Sequence, residues 1–237
     1  MDIPYEVDGA RCNGFLALPA GAGAVPGVIV LHGGSGLGDH ARQRARMLAD
    51  LGYAAFAPDL FGRRIEGLEA AEAATGEFLG DWARLCRSCD AAFRILAGHE
   101  RVEAGRIAAI GFCFGGQVAL EYARSGANMR AVIGFHSRLA TRYPERSGAI
   151  SAKVLICLGD ADRFVSRAER EHFLNDMRAN GVDCQMLLFS GVNHSFTDRY
   201  AEVSGVPGLK YDARADGRAW AAMQALLAEA FADTPQA

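Results

Sequence analysis

A chain of 237 residues, half of them hydrophobic, can close a sizeable core, and a formal net charge of −3 without a basic stripe argues against nucleic acid as a partner. No apolar run is long enough to span a bilayer, and no membrane partner is expected. The start, Met1-Asp2-Ile3-Pro4-Tyr5-Glu6, lacks the basic and apolar regions of a signal peptide, so a cytoplasmic location is expected.

Residues 3–7 and 12–18 alternate as two short strands about an Asp8-Gly9 turn. Residues 28–31 are a continuous apolar run, the mark of a strand buried on both faces, and His32-Gly33-Gly34-Ser35-Gly36 follows it. A helix is expected over 39–51, with Ala41, Ala45 and Leu48 inward and Gly52 as its left-handed stop. The arginines at 42, 44, 46, 63 and 64 are the densest positive group, and Arg42 and Arg46, one helical turn apart, read as a solvated face. Residues 53–57 form the next strand, and residues 60–80, polar, alanine-rich and broken by glycines, read as an irregular excursion. A helix over 81–97 carries Cys86 and Cys89 on one apolar face with Trp82, Leu85, Phe93 and Leu96. This C-x-x-C therefore reads as core, and no metal is expected. The remaining cysteines, at 12, 113, 157 and 184, fit a reducing compartment.

Strand 107–110 ends at a sharp turn and helix 115–124 follows. Strand 131–135, a loop to 151, strand 154–158, helix 167–179, strand 184–189, a polar loop with His194, and a helix marked by Trp220, Met223, Leu227 and Phe231 complete the chain. From residue 28 onward strands and helices alternate. The expectation is a single α/β domain over 1–237, with one mostly parallel sheet, helices on both faces and an N-terminal antiparallel hairpin. Functional loops in such a sheet gather at the carboxyl ends of the strands.

The turn Gly111-Phe112-Cys113-Phe114-Gly115-Gly116 has the form G-x-C-x-G, the thiol counterpart of a nucleophile elbow, and Cys113 sits at its tip. A free thiol with a pKa of roughly 8.5 is only about 3% ionised at pH 7, and half ionisation needs about 2 kcal/mol. A helix N-terminus supplies about 1 kcal/mol, so a base partner is required. Gly159-Asp160-Ala161-Asp162 follows one buried strand and Gly191-Val192-Asn193-His194 follows the last. Nucleophile, acid and histidine thus come in the chain order of α/β-hydrolases, with Asp160 or Asp162 as the acid. His194 would take and return the proton, and the acid would hold the imidazole. Oxyanion donors are expected from the Phe114 N–H and from Gly33 or Gly34.

Gly52-Tyr53-Ala54-Ala55, Pro58-Asp59-Leu60-Phe61-Gly62-Arg63, the cysteine elbow, Gly159-Asp160-Ala161-Asp162-Arg163-Phe164-Val165 and His194-Ser195-Phe196 together resemble the dienelactone hydrolase family over nearly the whole chain. The resemblance implies an α/β-hydrolase fold, a Cys113–Asp162–His194 triad, no cofactor, and hydrolysis of a small-molecule lactone or related ester. It selects Asp162 over Asp160 and suggests that Arg63 and Phe164 contact substrate. Two positions depart from the family. Its dienelactone enzymes carry a glutamate just after the first central strand, where this chain has Gly33, and an arginine where this chain has Asp198. Activation of Cys113 would then rest on His194 and the helix. The absent glutamate leaves open a catalytically silent binding protein. Gly36-Leu37-Gly38-Asp39-His40-Ala41, with Asp59 further on, also fits a dinucleotide-binding pattern.

Overall fold

A computed structural model describes residues 1–232. The strands are β1 (Asp2–Val7), β2 (Ala10–Ala17), β3 (Val25–Leu31), β4 (Ala54–Ala57), β5 (Val102–Phe112), β6 (Ala131–Phe135), β7 (Lys153–Gly159) and β8 (Cys184–Phe189). The helices are α1 (Asp39–Asp50), α2 (Leu68–Gly80), α3 (Trp82–Ala97), α4 (Phe114–Arg124), α5 (Arg167–Ala179) and α6 (Ala213–Ala232). The strands form one sheet in the order β1-β2-β4-β3-β5-β6-β7-β8. β1 and β2 pair antiparallel, β2 joins β4 antiparallel, and every later pairing is parallel. This is the α/β-hydrolase arrangement expected from the alternation of elements.

Alternation along the strands builds two cores. In β5, Ile107 and Ala109 face one side, where they share a core with Leu85, Cys89 and Leu96 of α3 and Val118 of α4. Ala108, Ile110 and Phe112 face the other, against Ala45 and Leu48 of α1 and Met223 and Leu227 of α6. Cys89 is fully enclosed and Cys86 packs at its edge, as the helix periodicity predicts. Among the described residues no helix is long and apolar enough to cross a membrane.

One expectation is corrected. Residues 60–80 are not irregular throughout: Leu68–Gly80 is a helix, entered through Gly67 at φ 83°. Its alanines favour a helix, but one of its faces borders a cavity rather than the core, so the apolar periodicity that marks a packed helix is weak. Within the arginine group, Arg46 is exposed and Arg42 partly so, but Arg44 turns inward. Arg44 is buried and gives Nη2 to Asp216 Oδ1 and to the Thr197 carbonyl, each at 2.7 Å, tying α1 to α6. Removing one member of such a buried pair typically costs about 3–5 kcal/mol.

Candidate active site

Cys113 occupies the step between β5 and α4 with φ 55° and ψ −117°, a conformation L-residues rarely adopt. The glycines permit it. A Cβ at Gly111 would run into the Gly115 backbone, and one at Gly115 into the carbonyls of Leu31 and His32. The Cys113 N–H is anchored on the Phe135 carbonyl at 3.0 Å. The elbow is therefore pinned between β3, β5 and β6, and its thiol opens on a cavity of about 650 Å³.

Loops from β7 and β8 bring the partners. Asp162 is 4% exposed. Its Oδ1 accepts the Phe164 N–H at 2.8 Å, and its Oδ2 lies 2.6 Å from His194 Nδ1. Both oxygens are thereby fixed, and with Nδ1 held by Asp162 the imidazole meets Cys113 through Nε2. Asp160 is exposed and instead accepts the Gly191 N–H at 2.5 Å, closing the turn beneath the histidine loop. His194 itself is held by its backbone, which pairs with Gly208 and Lys210.

The electrostatics of the pair oppose the effect of burial. Burial pushes the Cys113 thiol up, but the charge and hydrogen bonding of His194 and the Phe114 N–H outweigh it, and the thiol falls below its usual value. Burial pushes His194 down, yet Cys113 and Asp162 raise it to about 10. Both shifts point toward a thiolate–imidazolium pair. Phe114 opens α4, so its N–H is one of the four without an intrahelical acceptor.

Gly33 lies beside the elbow: a Cβ there would sit 4.0 Å from Cys113 Cβ. Gly34 faces α2, where Thr75 and Ala71 stand 3.4 and 3.6 Å from the corresponding point. His32 shapes this loop. Its Nε2 accepts the Leu60 N–H at 3.1 Å, so Nδ1 carries the proton and donates to the Gly33 carbonyl at 2.7 Å. Burial holds His32 down to about 4, and it stays neutral. Phe164 lines the cavity with its ring 4.9 Å from that of His194. Arg63 is exposed and is not among the cavity's lining residues; Arg64 lines it instead and donates to the Gly36 carbonyl at 2.7 Å. Asp59 uses Oδ1 to accept the N–H groups of Phe61 and Gly62, a turn-closing role in place of a ribose contact.

Sequence reasoning missed His136. It directly follows β6, has φ 41°, and places its ring 5.1 Å from that of His194. Its Nε2 meets Thr197 Oγ1 at 2.8 Å, and burial holds it well below the ordinary histidine range. The signal that flagged Asp162 and His194, a polar residue at the carboxyl end of a buried strand, applies to His136 as well.

The sequence pattern of the dienelactone hydrolase family matches residues 12–231. A "Putative carboxymethylenebutenolidase" of Methylorubrum extorquens is 26% identical over 198 residues, covering 78% of this chain and 68% of its own. The crystal structure of P91, a dienelactone hydrolase-like promiscuous phosphotriesterase from metagenomic libraries, superposes with a TM-score of 0.93 at 37% identity, covering 98% of both chains. The structure named m3DLH does so with a TM-score of 0.93 at 40% identity and the same coverage.

Proposed function

This chain belongs to the dienelactone hydrolase family, and from that premise we propose that it cleaves a lactone or related carboxylic ester through Cys113. The observation that carries the reading is Cys113 and His194 together at the cavity wall, with Asp162 buried behind the histidine and its Oδ2 2.6 Å from His194 Nδ1.

The Cys113 thiolate attacks the carbonyl carbon, and the carbonyl electrons move to oxygen. That oxyanion faces the Phe114 N–H and the Gly33 backbone; one such donor is worth about 3–4 kcal/mol. Collapse of the intermediate expels the alcohol, which takes the proton from His194 Nε2, leaving an acyl-cysteine. Water then gives a proton to His194 and attacks the thioester carbonyl, and the thiolate–imidazolium pair returns as the acid leaves. Asp162 keeps the imidazole in one tautomer and balances its positive charge throughout.

The test is a panel of aryl esters, thioesters and unsaturated lactones, turned over by wild type beside Cys113→Ala. A neutral phosphotriester belongs in the panel because P91 bears that activity in its name. Turnover confined to wild type supports the thiol mechanism, and the preferred compound names the substrate class. Equal rates, or none in either protein, would instead favour a binding protein that retains the fold.

A further inference from the structure

His194 stands on a loop that has to be held in place. Ser195, the next residue, has φ 57°, a left-handed conformation that a non-glycine residue keeps only where its surroundings enforce it. On one flank the backbone of His194 is tied to Gly208 and Lys210. On the other flank the loop is tied at Thr197, and there the ties are side chains.

Thr197 is 1% exposed and does not line the cavity. Its carbonyl accepts from Arg44 Nη2 at 2.7 Å and lies 3.2 Å from His40 Nε2. Its hydroxyl meets His136 Nε2 at 2.8 Å and His40 Nε2 at 3.2 Å. Side chains from α1 and from the end of β6 thus converge on one threonine. Arg44 would grip the main-chain carbonyl of any residue at this position, whereas the bond to His136 needs a hydroxyl.

His136 carries that grip to the site. Its ring stands 5.1 Å from that of His194 at an interplanar angle of 65°, and Phe164 stands 4.9 Å from the same ring at 59°. Asp162 fixes one point of the imidazole, Nδ1. The two neighbouring rings limit how the imidazole turns about that point. Phe196 backs His136 at 5.2 Å, edge to face. The titratable groups around His194 are Cys113 on the elbow, Asp162 after β7 and His136 after β6. Behind His136 stand His40 and Arg44 of α1, with Asp216 of α6 on Arg44 and Asp198 near His40. Burial keeps both His40 and His136 below the ordinary histidine range, so neither sets a positive charge against the imidazolium.

We propose that Thr197 is a positioning residue: its hydroxyl locks His136 against His194 and so holds His194 Nε2 on the Cys113 thiol. The inference rests on the thiol–imidazole pair of the acyl-transfer reading. Its test compares Thr197→Val, which keeps the shape and loses the hydroxyl, with Thr197→Ser, which keeps the hydroxyl. Two quantities are read: the pH midpoint of Cys113 alkylation, and kcat and KM for the best ester of the panel. In Thr197→Val the midpoint should rise by about 0.5–1 pH unit and kcat should fall by about tenfold, the scale of a sub-ångström misplacement. KM should stay within about twofold, because Thr197 lies behind the cavity wall. Thr197→Ser should return midpoint and kcat to near wild type. A threonine that serves stability alone would lower Tm in the valine variant and leave the midpoint unmoved; an unmoved midpoint overturns the proposal whatever kcat does, and so does a serine variant as impaired as the valine one. His136→Phe decides the matter if the valine variant fails to fold. It keeps a ring beside His194 and loses the bond to Thr197, so its midpoint should also rise, and an unmoved one overturns the proposal. Alkylation needs no turnover, which separates the two readings. A raised midpoint with no wild-type turnover of any ester keeps the positioning role and refutes acyl transfer. Turnover with an unmoved midpoint does the reverse, and the absence of both refutes both.

Discussion

Cys113 and Cys157 lie two strands apart in one sheet. Phe112 pairs with Phe135 in register, and Phe135 with Cys157, so one thiol stands a single residue beyond the row that contains the other. Cys157 is buried and Cys113 opens on the cavity, yet burial pushes both thiols up. Cys157, in mid-strand, has nothing to oppose that and is raised to about 12. Cys113, one step past the strand end, meets a histidine carried in from the loop after β8 and falls below its usual value. A strand interior is walled by its neighbours' side chains, whereas a strand end is the first place loops from other strands can reach. The sign of the thiol's shift follows from position along the strand rather than from depth.

Removing the partner should break this contrast most severely. Cys113→Ala is expected to lower turnover of the best panel substrate by about 10⁴-fold or more, and His194→Ala by nearly as much, since members of such a unit fail together. Initial rates, with melting curves to confirm an intact fold, check this. Full activity in His194→Ala would refute the triad. Cys113→Ser should lose about 10²–10³-fold: its hydroxyl would have to ionise in surroundings whose histidine and helix are matched to a thiol.

Alkylation reads the same contrast without a substrate. At pH 7 a thiol-directed reagent should modify Cys113 first, and Cys89 and Cys157 only after unfolding, because burial raises both of the latter. The sign for the variant follows from the opposing causes. His194 lowers the Cys113 thiol while burial raises it. His194→Ala leaves burial in command, so the pH of half-maximal alkylation should move upward. At pH 7 the rate should fall by about tenfold or more. An unchanged pH profile would mean that His194 does not ionise the thiol.

The elbow, the order of nucleophile, acid and histidine, and the two-faced sheet were all legible because each is written locally. Glycines crowd a tight bend, and an apolar run ends at a polar residue. What lay outside the sequence depends on contacts across the chain. Arg44 sits among four other arginines, and only its pairing with Asp216, 172 residues away, makes it a core residue. The choice between Asp160 and Asp162 rested on resemblance alone; in the fold it is a difference between an exposed turn staple and a buried partner of His194. Helix α2 escaped because one of its faces borders the cavity and, within it, only Phe78 is fully buried, which leaves little apolar periodicity.

The smallest effect tests whether the two thiols are independent despite their proximity. Cys157→Ala removes one buried sulfur atom and leaves a small void, which should cost about 1 kcal/mol and lower Tm by about 2–4 °C. The His136 N–H bonds the Cys157 carbonyl at 2.8 Å, and His136 in turn packs against His194, so a backbone shift at 157 has a short route to the site. That route runs through main-chain groups, which an alanine retains. Turnover should therefore stay within about twofold of wild type while Tm falls. A tenfold loss of turnover at unchanged pH dependence of alkylation would show that the β6–β7 ladder, and not only the loops at its end, sets the position of His194.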